Sequence, residues 1–421
     1  MKRIFLLSIA IMMAIVLGAT ERSEQDAAAL AAKFFTSVPQ RKMATASSTA
    51  APMMRKAHTV SMPESKQPAV YVFNRMVGDQ AQGYAVVAAV EGVDMILGYS
   101  ETGAIDEIPA PMQMWLEAYA EELAMIERGE AQPKTAALTL TPTEAIGPLM
   151  KTTWDQSPYY NYYTPKLTGS DGEKHCPTGC VATALGQIMK YWKYANTGGK
   201  TTESYYWTKG GKNLSIKLAD SYAWSSMPNK LTSSSTTAQK QAVGRLLCDI
   251  GYACKMQYEY SQSGANPNDG VLALIDYFGY DKSATMIIAS QIVDDPASGA
   301  TSANKSDLID NLIYEEMKAG RPVLVSATDN KDGAHAFVCD GIDETGKFHI
   351  NWGWNGTKDG YYLLSALKPT GTSYDYYYRR YFFTHIVPAG NKTKGATGYH
   401  PQEYRVDLEG FSAKVGGQDI T

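Results

Sequence analysis

The chain has 421 residues, 44% hydrophobic and 19% charged, enough for two folded units with sizeable cores and too apolar for a disordered tail. Its formal net charge is -4, from 39 Lys and Arg against 43 Asp and Glu, with no basic stripe, which argues against nucleic acid as a partner. Five scattered cysteines are too few for a disulfide scaffold, and their odd number leaves at least one free thiol to explain.

Residues 1–19 open with Met1-Lys2-Arg3 and continue as a short apolar run ending at Gly18-Ala19, the pattern of a secretory signal peptide. The run is short for a membrane span, so the expected product is soluble after signal removal, secreted to the periplasm or the outside, without stable membrane insertion. Residues 20–69 are rich in Ala, Ser, Thr, Met and Pro and read as a flexible arm with one helical stretch over 26–35. Over 70–129 the character changes. Three β-rich segments, 70–73, 84–90 and 95–99, alternate with Gly and Asp turns and predict a small antiparallel sheet. Pro111 then opens a helix in which Met112, Trp115, Leu116, Tyr119, Leu123 and Ile126 recur at spacings of three and four until Gly129. Residues 130–146 form a linker, with Lys134 to Thr141 the candidate stretch for proteolytic processing.

Residues 147–389 make a larger unit that carries the chemical motifs, and 390–421 a polar extension of no assignable structure. A helix over 180–194 buries Val181, Leu185, Ile188, Met189 and Trp192. A later one starts at a Ser306 cap, carries Leu308, Ile309, Leu312, Ile313 and Met317, and stops at Gly320. Strands follow over 322–327, 335–341, 347–353 and 360–363. The fold class is therefore α+β, with a helical half and an antiparallel β half separated by a cleft.

Cys180 follows Pro177-Thr178-Gly179 at the start of its helix, where unpaired N–H groups and the helix dipole favour thiolate over thiol. A thiolate nucleophile needs a histidine to share its proton, and that histidine needs a group to hold its tautomer. His335, after Asp332-Gly333-Ala334 at the start of a strand, fits best; His349, on one strand face with Asn351, competes. Asn351 follows His335 by 16 residues, a strand, a turn and a neighbouring strand, with Trp352 and Trp354 able to shield the imidazole contact. Trp-Gly-Trp in a strand is also consistent with plain core packing. The Cys180 N–H can serve a developing oxyanion, and Gln156, 24 residues earlier, can add a side-chain amide, although alone it reads as a surface turn residue. A metal site at Cys176, Cys180 and His175 lacks further ligands at metal spacing, so no metal and no cofactor is implied. Cys248 and Cys339 read as small buried hydrophobes.

Trp154-Asp155-Gln156-Ser157-Pro158-Tyr159-Tyr160-Asn161, Thr178-Gly179-Cys180-Val181-Ala182-Thr183-Ala184, Gln187-Ile188-Met189-Lys190-Tyr191, His335-Ala336-Phe337-Val338 and Asn351-Trp352-Gly353-Trp354 together resemble the streptopain family of papain-like cysteine peptidases. The match runs in order from about Val70 to about Leu367. It implies a secreted zymogen with a two-lobed papain-like catalytic domain, helical lobe plus antiparallel β lobe, behind a small α+β prodomain over 70–129. It further implies that Cys180 is the nucleophile, His335 the general acid and base, Gln156 an oxyanion-hole donor, Asn351 the imidazole-orienting residue and Trp352 its cover. By the same resemblance Ser261, Ser263 and Ala334 contact substrate, a hydrophobic residue is preferred second from the scissile bond on its amino side, and the prodomain inhibits its own enzyme by disturbing the catalytic histidine. Two departures stand out: residues 371–378 replace the family's glycine-rich loop, and the segment after Ala389 extends beyond its minimal domain.

Partners are then protein or peptide substrates and the chain's own prodomain. An alternative keeps the same Cys-His-Asn apparatus but makes it an acyltransferase or amide hydrolase on a non-protein acyl donor, because the apparatus fixes the reaction class more tightly than the substrate. A binding module without activity is suggested only by the 28 tyrosines and the polar tail, and such a module has no need to keep Cys180, His335 and Gln156 together.

Overall fold

The computed structural model describes residues 21–37, 52–93, 96–133, 144–288, 305–328, 334–356, 358–365, 367–368, 380–390, 413–415 and 418–420. The signal segment 1–19, the processing stretch 134–141, residues 371–378 and the Ser306 side chain lie outside them. In chain order the first part holds α1 (Glu24–Ser37), β1 (Met53–Ser61), β2 (Pro68–Val77), β3 (Gln80–Ala88), β4 (Ile96–Ser100), α2 (Ala110–Glu127) and β5 (Gln132–Pro133). The second holds β6 (Lys166–Gly169), β7 (Gly172–His175), α3 (Cys180–Trp192), β8 (Tyr205–Trp207), β9 (Lys212–Leu214), α4 (Thr237–Ala253) and α5 (Pro267–Phe278). It continues through β10 (Thr285–Ile288), α6 (Lys305–Lys318), β11 (Val323–Thr328), β12 (Ala334–Ile342), β13 (Phe348–Asn351), β14 (Gly360–Tyr362), β15 (Leu367–Lys368) and β16 (Arg380–Thr384). A short hairpin of β17 (Ala413–Val415) and β18 (Gln418–Ile420) lies in the carboxy-terminal extension.

The two units share one sheet. Its order is β1-β2-β3-β4-β14-β13-β12-β11-β16-β10, antiparallel at every pairing, so the small amino-terminal sheet continues directly into the β half of the large unit. The join is the β4–β14 ladder, Tyr99 opposite Tyr361 and Gly98 opposite Tyr362. A Cβ at Gly98 would sit 2.3 Å from the Tyr362 ring, so this close approach requires glycine. Two separate sheets were the sequence expectation; the edge of one satisfies the edge of the other, leaving neither as an open template at the seam.

Side-chain alternation sorts the core into layers. Val72, Val86 and Leu97 face α2, whereas Tyr71, Phe73, Ala85 and Val87 face α1, whose Ala27 and Ala31 are fully buried. Likewise Phe337 and Cys339 of β12 join the core on the α2 side, while Ala336 and Val338 join the core under α3, α4 and α5. The residues expected as a flexible arm therefore supply a packed helix and an edge strand. Their composition hid this because β1 is an exposed edge without clean alternation, and α1 buries only alanines among its fully covered positions.

Two helices of the α lobe escaped the sequence reading, though their boundary signals are present. A capping box from Thr236 and Gln239 starts α4, and Asn266-Pro267 starts α5, which ends on left-handed Gly279. Neither has the clean apolar stripe of α3. The α2 helix is buried on more than one face, because it lies against β2 of its own unit and against β11 and β12 of the other.

Candidate active site

Gly179 sets the nucleophile turn. Its φ of +85° is left-handed, and a Cβ there would meet the Met256 side chain at 2.6 Å and the Ser263 carbonyl oxygen at 3.1 Å. No side chain caps α3, so its first N–H groups are left for the sulfur. Cys180 Sγ accepts from the N–H of Ala336, Val181 and Cys180 itself, and the thiol is half-buried. Ala336 is the residue after His335, so the structure brings the α3 start and the β12 start together.

Burial pushes the Cys180 thiol up, against the pull of those three N–H groups. This departs from the helix-start expectation of a lowered pKa. The physical reason is desolvation: three dipoles at the sulfur do not replace the water it has lost.

His335 is 8% exposed, with the Trp354 ring edge-on at 6.3 Å between centroids. In the β12 alternation His335 has the parity of Phe337, on the face toward α2, whereas the sulfur lies on the Ala336 side. Beside Phe337 the α2 residue Trp115 makes edge contacts at 5.7 Å to Phe337 and 6.1 Å to Trp352, and Trp352 stands 4.8 Å from Phe337. Trp352 is thus fully buried in a three-ring cluster completed by the amino-terminal unit.

Asn351 pairs with Val338 across β12–β13 and faces the α3 side. Its Oδ1 accepts from Gln187 Nε2 at 3.1 Å and from Gly353 N at 3.1 Å; its Nδ2 donates to Thr152 O at 2.8 Å and Gln187 Oε1 at 3.3 Å. Gln156 is half-buried, and its carbonyl accepts the Thr178 N–H at 3.2 Å, which ties its segment to the turn before Cys180. Ser263 is buried with its carbonyl against Gly179; Ser261 is exposed two residues away, and Ala334 is exposed at the first position of β12.

The competing histidine is held elsewhere. His349 Nδ1 meets Asp340 Oδ1 at 2.6 Å and its ring stands edge-on to Tyr361. Burial opposes its charge, but Asp340 and Asp359 together raise its pKa, while burial pushes the Asp359 carboxyl up to about 6. His175 engages the Thr164 carbonyl, and all five cysteines are free thiols, with Cys176, Cys248, Cys254 and Cys339 buried. Gln187, quoted in the sequence among the family motifs but given no role there, had a legible signal: it is an amide among the apolar residues of α3, two turns from Cys180.

A family model for peptidase C10 matches residues 154–362, and one for the Spi protease inhibitor matches residues 19–123. The thiol protease/hemagglutinin PrtT of Porphyromonas gingivalis is 29% identical over 385 residues, 88% of this chain. The chain spans only 42% of that relative's own length. Streptopain of Streptococcus pyogenes is 31% identical over 324 residues, 72% of this chain and 75% of streptopain. Among solved structures, a prointerpain A fragment of Prevotella intermedia aligns with a TM-score of 0.66 and 26% identity, over 80% of this chain and 99% of that one.

Proposed function

The chain belongs to the peptidase C10 family of cysteine peptidases, with a Spi-type inhibitor segment ahead of the peptidase, and from that premise we propose that it is an exported endopeptidase restrained by residues 70–129 until processing within 130–146. The observation that carries the reading is the Cys180 sulfur, set at an uncapped helix start and touching the strand that begins with Ala334-His335.

In the reaction His335 takes the Cys180 proton and the thiolate attacks the scissile carbonyl carbon. The oxygen, now negative, is received by the Cys180 N–H and the Gln156 side-chain amide. As the tetrahedral adduct collapses, the C–N bond breaks and His335 protonates the departing amine. Water, deprotonated by the same imidazole, then hydrolyses the thioester and returns the proton to sulfur. Asn351 holds the imidazole tautomer and Trp352 keeps water from that contact. Ser261, Ser263 and Ala334 line the substrate path, and Met256 beside Gly179 suits an apolar side chain second from the scissile bond on its amino side.

Restraint would act through the packing around β12. Trp115 packs on Phe337 and Trp352 from the prodomain side, two residues along the strand from His335, so the prodomain bears on the stretch that carries the imidazole. Removing the prodomain releases that stretch. The test is the Cys180→Ala variant, expected to accumulate as the unprocessed chain and to leave casein intact. A variant that matured alone and still cut casein would sink the assignment.

A further inference from the structure

Resting on that reading of Cys180, Gln156 and Asn351, we infer that Gln187 is a positioning residue that ties the nucleophile helix to both the segment bearing Gln156 and the imidazole-orienting asparagine through one side-chain amide. Gln187 is fully buried on α3, two helical turns beyond Cys180 and so on the same helix face. Its Oε1 accepts the backbone N–H of Trp154 at 3.0 Å, two residues before Gln156, and Asn351 Nδ2 at 3.3 Å. Its Nε2 donates to Asn351 Oδ1 at 3.1 Å.

The orientation of both amides is dictated by backbone groups that cannot flip. Trp154 N–H demands an oxygen from Gln187; Thr152 C=O demands a nitrogen from Asn351; Gly353 N–H demands an oxygen from Asn351. With both ends fixed, the two amides pair reciprocally in one sense only. The pair also joins α3 to β13, so a shift of α3 carries Asn351 and the segment bearing Gln156 with it. A buried polar group at the helix seam costs desolvation unless every bond is made, and here every bond goes to a segment that bears a proposed catalytic part.

The experiment uses full-length chains of wild type, Gln187→Met, Asn351→Ala and the double variant, each matured by added wild-type enzyme and compared by kcat and KM on one peptide substrate. Gln187→Met and Asn351→Ala are each expected to lower kcat about 10–100-fold, the scale of an angstrom-level misplacement, with little change in KM. The double variant is expected to be no worse than the poorer single one, because the two residues act through one contact. Additive losses, or a Gln187→Met effect confined to KM, would overturn the inference while leaving the Asn351 assignment intact. An Asn351→Ala enzyme with unchanged kcat would instead overturn the Asn351 assignment and this inference with it. Gln187→Glu keeps the oxygen for Trp154 N–H and supplies a donor only when protonated, so its kcat relative to wild type should recover as pH falls. If Gln187→Met does not fold, that recovery decides the matter, and a flat ratio across pH counts against the inference.

Discussion

The sulfur of Cys180 is pulled two ways in the precursor, upward in pKa by burial and downward by the N–H groups of Ala336, Val181 and Cys180. Burial is the larger influence and raises the thiol pKa while the prodomain is in place. The rate of Cys180 alkylation by iodoacetamide in the precursor is therefore expected to climb through pH 9 without a plateau near neutrality. In the matured enzyme, where an imidazolium partner is proposed, the plateau should begin well below pH 7. Following alkylated Cys180 by peptide mass spectrometry against pH checks this, and matching profiles for the two forms would contradict it. Trp352 illustrates the other limit of residue-level reasoning. Its sequence motif reads equally as core or as shield, and in the precursor it is core, closed off by Trp115 from a distant part of the chain.

At the level of elements, α2 is the wedge between the two units. Besides Trp115, it contributes Tyr119, whose hydroxyl donates to the Leu363 carbonyl, and Glu122, which meets Arg380 of β16 at 3.2 Å with both side chains about 2% exposed. Arg380 also stacks on the Trp115 ring at 4.3 Å and donates to the Leu364 carbonyl. A buried pair of this kind adds little net stability when intact, but removing one partner leaves a desolvated charge and costs about 3–5 kcal/mol. Glu122→Gln in a Cys180→Ala background is expected to lower the unfolding free energy of the precursor by an amount on that scale, and its urea midpoint with it, measured by tryptophan fluorescence. A midpoint equal to that of the Cys180→Ala parent would show that the pair does not hold α2 in place. The helix itself was legible in its three-and-four spacing; its second buried face was not, because the residues that cover it lie hundreds of positions later in the chain.

For the whole molecule the decisive feature is the β4–β14 ladder, which makes prodomain and peptidase one ten-stranded sheet. Removal of the prodomain in the proposed maturation would uncover the β14 edge and the Tyr361 ring that stacks on Tyr99 at 5.4 Å. Amide hydrogen exchange at Leu363, whose N–H donates to the Leu97 carbonyl across the seam, is accordingly expected to be slow in the Cys180→Ala precursor and at least ten-fold faster in the matured form. Equal protection in both forms would mean that another segment re-covers the edge. Much of the fold and site was readable beforehand. Glycine, cysteine and apolar spacing marked α3, β-branched and aromatic runs marked β11 to β14, and the nucleophile and histidine motifs stood out as short local patterns. Less local facts were not readable. Neither α4 nor α5 shows a clean stripe, the supposed arm packs as α1 and β1, and Gln187 looked like one more helix residue.

By itself the sequence determined the peptidase family and the kinds of element that carry the candidate site, because helix starts, strand alternation and motif spacing act over a few residues and are written locally. Only the tertiary structure decided that Gln187 pairs with Asn351, that Trp115 completes the Trp352 cluster, and that two sheets fuse into one. Those outcomes depend on strand edges and side-chain faces meeting across long separations, where burial of apolar surface and satisfaction of backbone hydrogen bonds select one partner among many.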